Sequence, residues 1–205
     1  MKFLVLAAVF AAGYLAAHLT GATGAADQKP ATPPAANGPP PNPNIDFAAH
    51  IVTAQNAQQH RATRRLSEDD FIKASKEEGV VVLDARSKAM YDLLHVEGAI
   101  NINFSDLDVE TLKKTLPDKK TKILIYCNNN FTPAPDAPGV AQRPNQPANP
   151  MAVKAAEAFK GKGLALSLNI STYTTLYGYG YTNVYELAPL LDPTKTKLAL
   201  VSSKK

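Results

Sequence analysis

Two short runs of consecutive apolar residues restrict the possible fold of this chain more than any other feature of its sequence. They are VVVL at residues 80–83 and ILIY at residues 123–126, and both contain β-branched side chains. A strand without polar alternation is covered on both faces, which is typical of a parallel sheet flanked by helices. Helix-forming segments such as SKAMYDLLH separate the two runs. This alternation predicts an α/β domain, in which ligands bind at the carboxyl ends of the strands.

Further helix and strand signals surround these two runs. Ser67, followed by Asp70 three positions later, resembles a capping box, and Ser105 is expected to cap a helix that ends before Pro117. The segments MAVKAAEAFKGKG and STYTTLYGYGY are typical of helices, whereas GAININ and TNVYEL are typical of strands. LALSLNI is expected to be a strand or an extended arm. The lysine-rich tail after Pro193 is expected to be frayed.

The first 66 residues differ in composition from the rest. Residues 1–26 have a basic start, a long apolar run and small residues at the end, which is typical of a secretory signal peptide. An uncleaved membrane anchor is the alternative. Seven prolines in residues 27–44 indicate an extended linker, and residues 45–66 are interpreted as an N-terminal extension. We therefore expect an exported protein, periplasmic or secreted, or one that is anchored to the membrane only by its N-terminal segment.

Composition excludes several kinds of site. A single cysteine, Cys127, excludes an intrachain disulfide, and the four histidines lack the spacing of metal ligands. The 22 basic and 18 acidic residues are spread along the chain, so that nucleic acid is not expected as a partner. We expect no metal and no cofactor.

Three separated stretches resemble, in order, the landmarks of the rhodanese-like domain family. They are VVLDARSKAMYDLLHVEGAINI, ILIYC and GYTNVYEL. The family's patterns match at Asp84, Arg86, His95, Gly98, Ala99, Asn101, Tyr126, Cys127, Gly180, Tyr181, Asn183 and Val184. The resemblance covers residues 67–191 and leaves 192–205 as a tail. It implies a three-layer fold with a central, mostly parallel sheet and helices on both faces.

Resemblance to this family also implies a chemistry. Cys127 would accept a sulfane sulfur from a donor such as thiosulfate, become a persulfide, and pass the sulfur to an acceptor such as cyanide or a thiol. The attacking species is the thiolate, and backbone N–H groups at a strand end are suited to stabilise it. The expected partner is therefore a small sulfur-containing anion or a thiol acceptor, while the sequence identifies no protein partner. The alternative is a catalytically inactive rhodanese-like binding or regulatory module.

The segment after the cysteine departs from the family's usual pattern. Where the family commonly has Cys-x-x-Gly-x-Arg, this chain has Asn130 and Thr132, and a long insert is expected at about residues 128–170. We predict Cys127 as the catalytic residue and a substrate-binding set formed by Asn128, Asn129, Asn130, Phe131 and Arg86. Asparagine tolerates left-handed backbone angles and donates hydrogen bonds, so the triplet is able to form an anion cradle. The alternatives are that the asparagines only turn the chain, that Arg86 pairs with a neighbouring carboxylate, and that Cys127 is a buried structural thiol.

Overall fold

The computed structural model describes residues 42–132 and 150–203. Residues 42–45 belong to a separate unit, Met1–Ile45, and form a turn in which the Ile45 N–H donates to the Asn42 carbonyl. Residues 1–26, predicted as a signal peptide, and most of the predicted linker lie outside the described residues. The remaining described chain belongs to one compact unit, Asp46–Lys205.

Helices and short strands alternate along this unit. The helices are α1 (Phe47–Arg61), α2 (Glu68–Ser75), α3 (Lys88–Leu93), α4 (Val109–Thr115), α5 (Pro150–Ala158) and α6 (Leu168–Gly178). The strands are β1 (Arg65–Leu66), β2 (Val81–Asp84), β3 (His95–Val96), β4 (Ile100–Asn101), β5 (Ile123–Tyr126), β6 (Val184–Leu187) and β7 (Leu200–Val201). Short 3₁₀ turns occur at Phe104–Asp106, Asn128–Asn130 and Leu164–Leu166.

The central sheet is parallel and has β5 in its middle. Its five strands lie in the order β1-β6-β5-β2-β4, and every neighbouring pair is parallel. β3 and β7 form a separate antiparallel pair. In the register of β2 with β5, Asp84 lies opposite Tyr126, so that both strands end at the same edge of the sheet. The expected α/β fold, a mostly parallel sheet flanked by helices, is confirmed.

Both faces of the sheet are buried, as the apolar runs predicted. One hydrophobic cluster contains Val82, Leu124 and Tyr126 from the strands together with Phe71, Ala155 and Phe159 from the helical layer. The second contains Leu83, Ile123 and Ile125 together with Leu112, Tyr173 and Leu176. Successive residues of β2 and β5 therefore point to opposite cores, which explains why neither strand shows polar alternation.

The caps of α2 and α4 differ in how well the sequence predicted them. Ser67 caps α2, because its hydroxyl accepts the Asp70 N–H at 3.1 Å and donates to the Asp70 carboxylate at 2.6 Å. The expected Ser105 cap was wrong, since Ser105 lies inside the 3₁₀ turn and its hydroxyl donates to Asp106. Asp108 caps α4 instead and accepts the Thr111 N–H at 2.8 Å. Burial of Leu107 fixes the turn and delays the start of the helix.

Two further expectations were wrong. LALSLNI forms a 3₁₀ turn and the start of α6 rather than a strand, and its Leu164 and Leu166 are exposed, so that their alternation faces no core. The tail after Pro193 is not frayed in its described part. Leu198 is buried in the core, and β7 pairs with β3, because the tail covers apolar surface that the central sheet leaves open.

α1 packs along α6 and contacts the sheet edge. His60 lies 2.7 Å from the Tyr173 hydroxyl, and the Arg61 guanidinium forms two hydrogen bonds with the Glu186 carboxylate. The helix has little amphipathic order, so these polar contacts supplement a small apolar interface centred on Ala57. Among the described helices, none has the length and apolar character needed to cross a membrane.

Candidate active site

Cys127 lies directly after β5, at the carboxyl edge of the sheet and at its centre. Its backbone is still extended, with φ −148° and ψ −173°, and the next three residues form the 3₁₀ turn Asn128–Asn130. The thiol is buried at 1% exposure, and its Sγ lies 3.3 Å from the Ser167 Oγ. A hydroxyl at this distance can donate to a thiolate, which would stabilise the reactive form.

Asn130 closes the turn by holding both of its ends. Its Oδ1 accepts the Cys127 N–H at 2.9 Å, and its Nδ2 donates to the Leu187 carbonyl at 2.7 Å. The same Oδ1 accepts the Asn169 Nδ2 at 2.9 Å, and the backbone carbonyl of Asn130 accepts the Leu191 N–H. Because Asn130 is buried and connects β5, α6 and the chain after β6, its side chain positions the cysteine loop.

Asn128 and Asn129 bind the segment that covers the loop, residues 160–167, which we name the strap. The Asn128 Nδ2 donates to the Lys160 carbonyl. Asn129 forms a reciprocal pair with Lys162, in which its Nδ2 donates to the carbonyl at 2.8 Å and its Oδ1 accepts the N–H at 3.0 Å. The structure therefore brings all three asparagines together with Cys127, and their side-chain amides donate to other residues of the protein.

The Asn130 N–H donates to the Cys127 carbonyl, but two other backbone donors of the turn have no acceptor among the described residues. Among the hydrogen bonds of the described residues, the N–H groups of Asn128 and Asn129 have no protein acceptor. Successive free N–H groups next to a strand end form the kind of concave site that binds anions. If the turn stabilises an anion, the backbone and not the asparagine side chains would provide the donors.

Phe131 and Arg86 lie below the loop rather than at an open surface. Phe131 is 3% exposed and stacks on Phe159 with ring centroids 4.0 Å apart. The Arg86 guanidinium is 1% exposed and donates to Asp84 (Nη2 to Oδ2, 2.6 Å) and to the carbonyls of Leu94 and Ala158. This is the pairing with a neighbouring carboxylate that the sequence left open as an alternative. The guanidinium is thus not exposed as a ligand-binding group.

The buried network around Asp84 has perturbed protonation equilibria. The Tyr126 hydroxyl donates to Asp84 at 2.6 Å, and burial together with the Asp84 charge holds the pKa of Tyr126 well above its ordinary value. Burial lowers the pKa of Arg86, but the hydrogen bonds and charge of Asp84 outweigh it, so that the pKa is raised. Tyr126 therefore stays neutral and Arg86 stays charged at neutral pH, and the network supports the floor of the site.

A family model described as the rhodanese-like domain matches residues 67–188. The chain belongs to this family. Its solved structural neighbours include a rhodanese from Escherichia coli, with 22% identity, 60% of this chain and 96% of that chain covered, and a TM-score of 0.34. A rhodanese-like protein from Anabaena is 17% identical, with 67% of this chain and 80% of that chain covered and a TM-score of 0.41. A thiosulfate sulfurtransferase from Pseudomonas aeruginosa is 16% identical, with 76% of this chain and 23% of that chain covered and a TM-score of 0.41. Among curated proteins none matches.

Two polar clefts of this rhodanese-like domain are lined by residues of the cysteine loop. The first has a volume of about 360 Å³ and is lined by Ser87, Asn103, Asn128 and Lys162, among others. The second has a volume of about 270 Å³, and its polar lining is Arg61, Arg65, Asn129, Asn130, Ser167, Asn169 and Glu186. Larger cavities of about 450 and 550 Å³ lie between α1 and α6 and contain no loop residue. The two polar clefts are therefore the relevant ones for chemistry at Cys127.

The second cleft contains residues that sequence reasoning missed. Arg61 and Arg65 both bind Glu186, whose carboxylate is 1% exposed within β6. A glutamate in the otherwise apolar strand VYEL, with a basic cluster at residues 61–65, was the available signal. Ser167 and Asn169 gave no such signal, because only the tertiary structure brings the start of α6 against the cysteine loop.

Proposed function

We propose that this rhodanese-like domain is a sulfurtransferase in which Cys127 carries the transferred sulfur as a persulfide. The observation that carries the proposal is the position of the thiol. Cys127 directly follows the central strand of the sheet and begins a turn in which two backbone N–H groups have no acceptor among the described residues. Ligand sites of parallel sheets lie at this edge, and such donors favour an anionic sulfur.

The proposed chemistry requires only the cysteine and two substrates. The Cys127 thiolate attacks the outer sulfur of thiosulfate, the sulfur–sulfur bond of thiosulfate breaks, and sulfite leaves with the bonding electron pair. An acceptor nucleophile such as cyanide then attacks the outer sulfur of the persulfide. The Cys127 thiolate is released together with thiocyanate, and no external oxidant or reductant is consumed.

Access to the thiol requires movement of the strap. Cys127 is 1% exposed, and the strap is held over the loop by the hydrogen bonds of Asn128 and Asn129. Each such bond has a net value of about 1 kcal/mol, so that breaking a few of them is compatible with turnover. The glycines at 161 and 163 within the strap provide backbone freedom for this opening.

The proposal also includes export. The support is the apolar N-terminal segment and the proline-rich linker of the sequence. We propose that the domain acts in the periplasm or outside the cell, either released or tethered by that segment. Its proposed partners are a small sulfur-containing anion and a thiol acceptor.

Intact-mass analysis after incubation with thiosulfate tests the catalytic proposal. We expect the wild-type protein to gain one sulfur atom and to form thiocyanate when cyanide is added, and we expect Cys127→Ser to do neither. Sulfite release measured in the same reaction checks the balance of the first step. A wild-type protein that gains no sulfur and turns over no faster than Cys127→Ser would overturn the proposal.

A second function is favoured by a specific observation, the burial of the thiol beneath amides that bind the protein itself. A catalytically inactive binding or regulatory module would need Cys127 only as a small core residue. In that case neither the wild type nor Cys127→Ala should take up sulfur, and the only effect of Cys127→Ala should be the loss of stability expected when a buried side chain is truncated. Uptake of sulfur by the wild type would reject this alternative.

A further inference from the structure

Asn169, at the start of α6, has a buried amide oxygen without a hydrogen-bond partner among the described residues. The orientation of its amide is fixed by its neighbour. Asn130 must present its oxygen to the Cys127 N–H and its nitrogen to the Leu187 carbonyl, so that Asn169 has to direct its own nitrogen to the Asn130 oxygen. The Asn169 Oδ1 is left without a donor, although the residue is 6% exposed. A buried acceptor in this state costs free energy unless a ligand satisfies it.

Asn169 lines the second cleft, whose charge is provided by Arg61, Arg65 and Glu186. Both Glu186 oxygens are occupied, since Arg61 binds both of them and Arg65 binds Oε1. The arginine side chains are 29% and 48% exposed, and the three charges together are net positive. The cleft therefore has an anion-binding group at its surface, and the Asn169 Oδ1, which has no partner among the described residues, is buried in its wall.

Ser167 connects this cleft with the sulfur chemistry. It lines the cleft, and its Oγ lies 3.3 Å from the Cys127 Sγ. Leu164 of the strap lines the cleft as well. Opening of the strap would therefore expose Cys127 and the Asn169 oxygen together, so that a ligand in the cleft could reach both.

We propose that the second cleft binds the sulfur acceptor and that this acceptor is a small amino-acid thiol with an ammonium, a carboxylate and a thiol group. Its carboxylate binds the exposed edges of Arg61 and Arg65, and its ammonium donates to the Asn169 Oδ1. The volume of about 270 Å³ suits a molecule of this size. This inference rests on the proposed sulfurtransferase function.

The transfer step is balanced without a further reagent. The acceptor thiol gives its proton to water, and the resulting thiolate attacks the outer sulfur of the Cys127 persulfide. The sulfur–sulfur bond to Cys127 breaks, its electron pair remains on the Cys127 Sγ as thiolate, and the acceptor leaves as its own persulfide.

Binding is tested on the full chain carrying Cys127→Ser, which removes transfer and disulfide formation. The probes are L-cysteine, cysteamine, which lacks the carboxylate, and 3-mercaptopropionate, which lacks the ammonium group. By calorimetry we expect L-cysteine to bind and each truncated probe to bind at least about tenfold more weakly. Equal affinities for all three probes, or binding of none of them, would overturn the inference.

Variants assign the binding to the cleft. Arg65→Gln, at a half-exposed side chain, should weaken L-cysteine binding about tenfold, and Lys113→Gln on α4 should leave it unchanged. Asn169→Leu should abolish the preference for L-cysteine over 3-mercaptopropionate. Asn169→Leu also removes the hydrogen bond to Asn130 and could disturb the cysteine loop. Among the described residues, Arg65 makes no hydrogen bond to that loop, so the result for Arg65→Gln decides the test. An unchanged affinity in Arg65→Gln would reject the cleft.

The outcomes separate this inference from the proposed function. L-cysteine binding without any sulfur uptake by wild-type Cys127 would reject sulfur transfer and leave the cleft as a ligand site. Efficient transfer from thiosulfate to cyanide, with no preference among the three thiols, would reject the acceptor site and leave the sulfurtransferase function intact.

Discussion

The Asp84–Arg86 ion pair lies at the carboxyl edge of the sheet, where ligands are expected to bind, but its contacts give it a structural role. Both side chains are almost fully buried, and the guanidinium also donates to the Leu94 and Ala158 carbonyls. Removal of one member of a buried pair leaves an uncompensated charge, which is more costly than losing a surface contact. The pair therefore fixes the end of β2 beneath the cysteine loop.

We expect Arg86→Met to lower the free energy of unfolding by about 3–5 kcal/mol, because Asp84 would remain buried without its cation. Urea unfolding followed by circular dichroism measures the change. Lys113→Met is the matched control, since its pair with Glu110 is exposed and its loss should change stability by less than about 0.5 kcal/mol. Equal stability of the two variants would show that the buried pair does not hold the site.

Asn130 provides a second prediction at the same scale. Asn130→Gly would place the residue of the usual family pattern in the turn, yet it would leave the Cys127 N–H and the Leu187 carbonyl without their side-chain partner. We expect a loss of about 1–3 kcal/mol in unfolding free energy. Asn183→Gly, at a partly exposed asparagine whose side chain donates only to the Lys120 carbonyl, should cost less. The reverse ranking would contradict the assigned role of Asn130.

At the scale of elements, the strap and the cysteine loop act as one unit. The strap has exposed leucines and few buried contacts of its own, and its polar attachment is through Asn128 and Asn129. Segments with few buried contacts open at low free energy. The reactivity of Cys127 is therefore expected to depend on these attachments rather than on global unfolding.

We expect Asn129→Ala to increase the rate at which Cys127 reacts with an aromatic disulfide reagent by about tenfold, because two hydrogen bonds to Lys162 are lost. The absorbance of the released aromatic thiol gives the rate under native conditions. Asn183→Ala serves as control and should react like the wild type. If both variants react at the wild-type rate, the Asn129–Lys162 pair does not control access to the thiol.

The start of α4 gives a pH-dependent prediction. The hydrogen bond from the Thr111 backbone lowers the pKa of Asp108 below its ordinary value. Because the folded pKa is the lower one, the cap stabilises the protein above the unfolded pKa, and this contribution is lost as pH falls through the folded pKa. Asp108→Ala should lower the Tm at neutral pH, with a difference from the wild type that narrows in acid. Ser105→Ala should leave the Tm unchanged at both pH values. A lower Tm in Ser105→Ala would instead support Ser105 as the cap of α4.

At the scale of the whole molecule, the family region is completed by elements outside it. α1 and β1 precede the matched residues 67–188, and they contribute Arg61 and Arg65 to the buried Glu186. β7 and Leu198 follow that region, and they cover the hydrophobic cluster that contains Leu124 and Tyr126. The compact unit is therefore larger than its family signature.

A chain that begins at residue 67 should be less stable than one that begins at residue 42, because Glu186 would lose both of its arginine partners and α6 would lose its packing against α1. Urea unfolding of both chains measures the difference. Glu186→Leu in the shorter chain should recover part of the loss, since it removes the unpaired charge. Equal midpoints, or no recovery, would show that α1 and β1 do not stabilise the unit through Glu186.

The sequence by itself determined the class of fold, because buried strands need consecutive apolar residues and these are visible in VVVL and ILIY. It also placed Cys127 at a strand end through the order of the family's motifs. Local signals succeeded where a contact lies within a few residues, as at Ser67. They failed at Ser105, where burial of the neighbouring Leu107 outweighed local propensity, and at LALSLNI, where the alternating leucines are exposed and face no core.

Only the tertiary structure decided what surrounds the thiol. The hydrogen bonds of Asn130 reach Leu187 and Asn169, and those of Asn129 reach Lys162, at sequence separations that no local pattern encodes. The burial of Cys127, the cover formed by the strap and the unpaired oxygen of Asn169 all depend on these long-range contacts. Local hydrophobicity thus determines the strand β5. The surroundings of Cys127 are determined by the distant segments that meet at the carboxyl end of that strand.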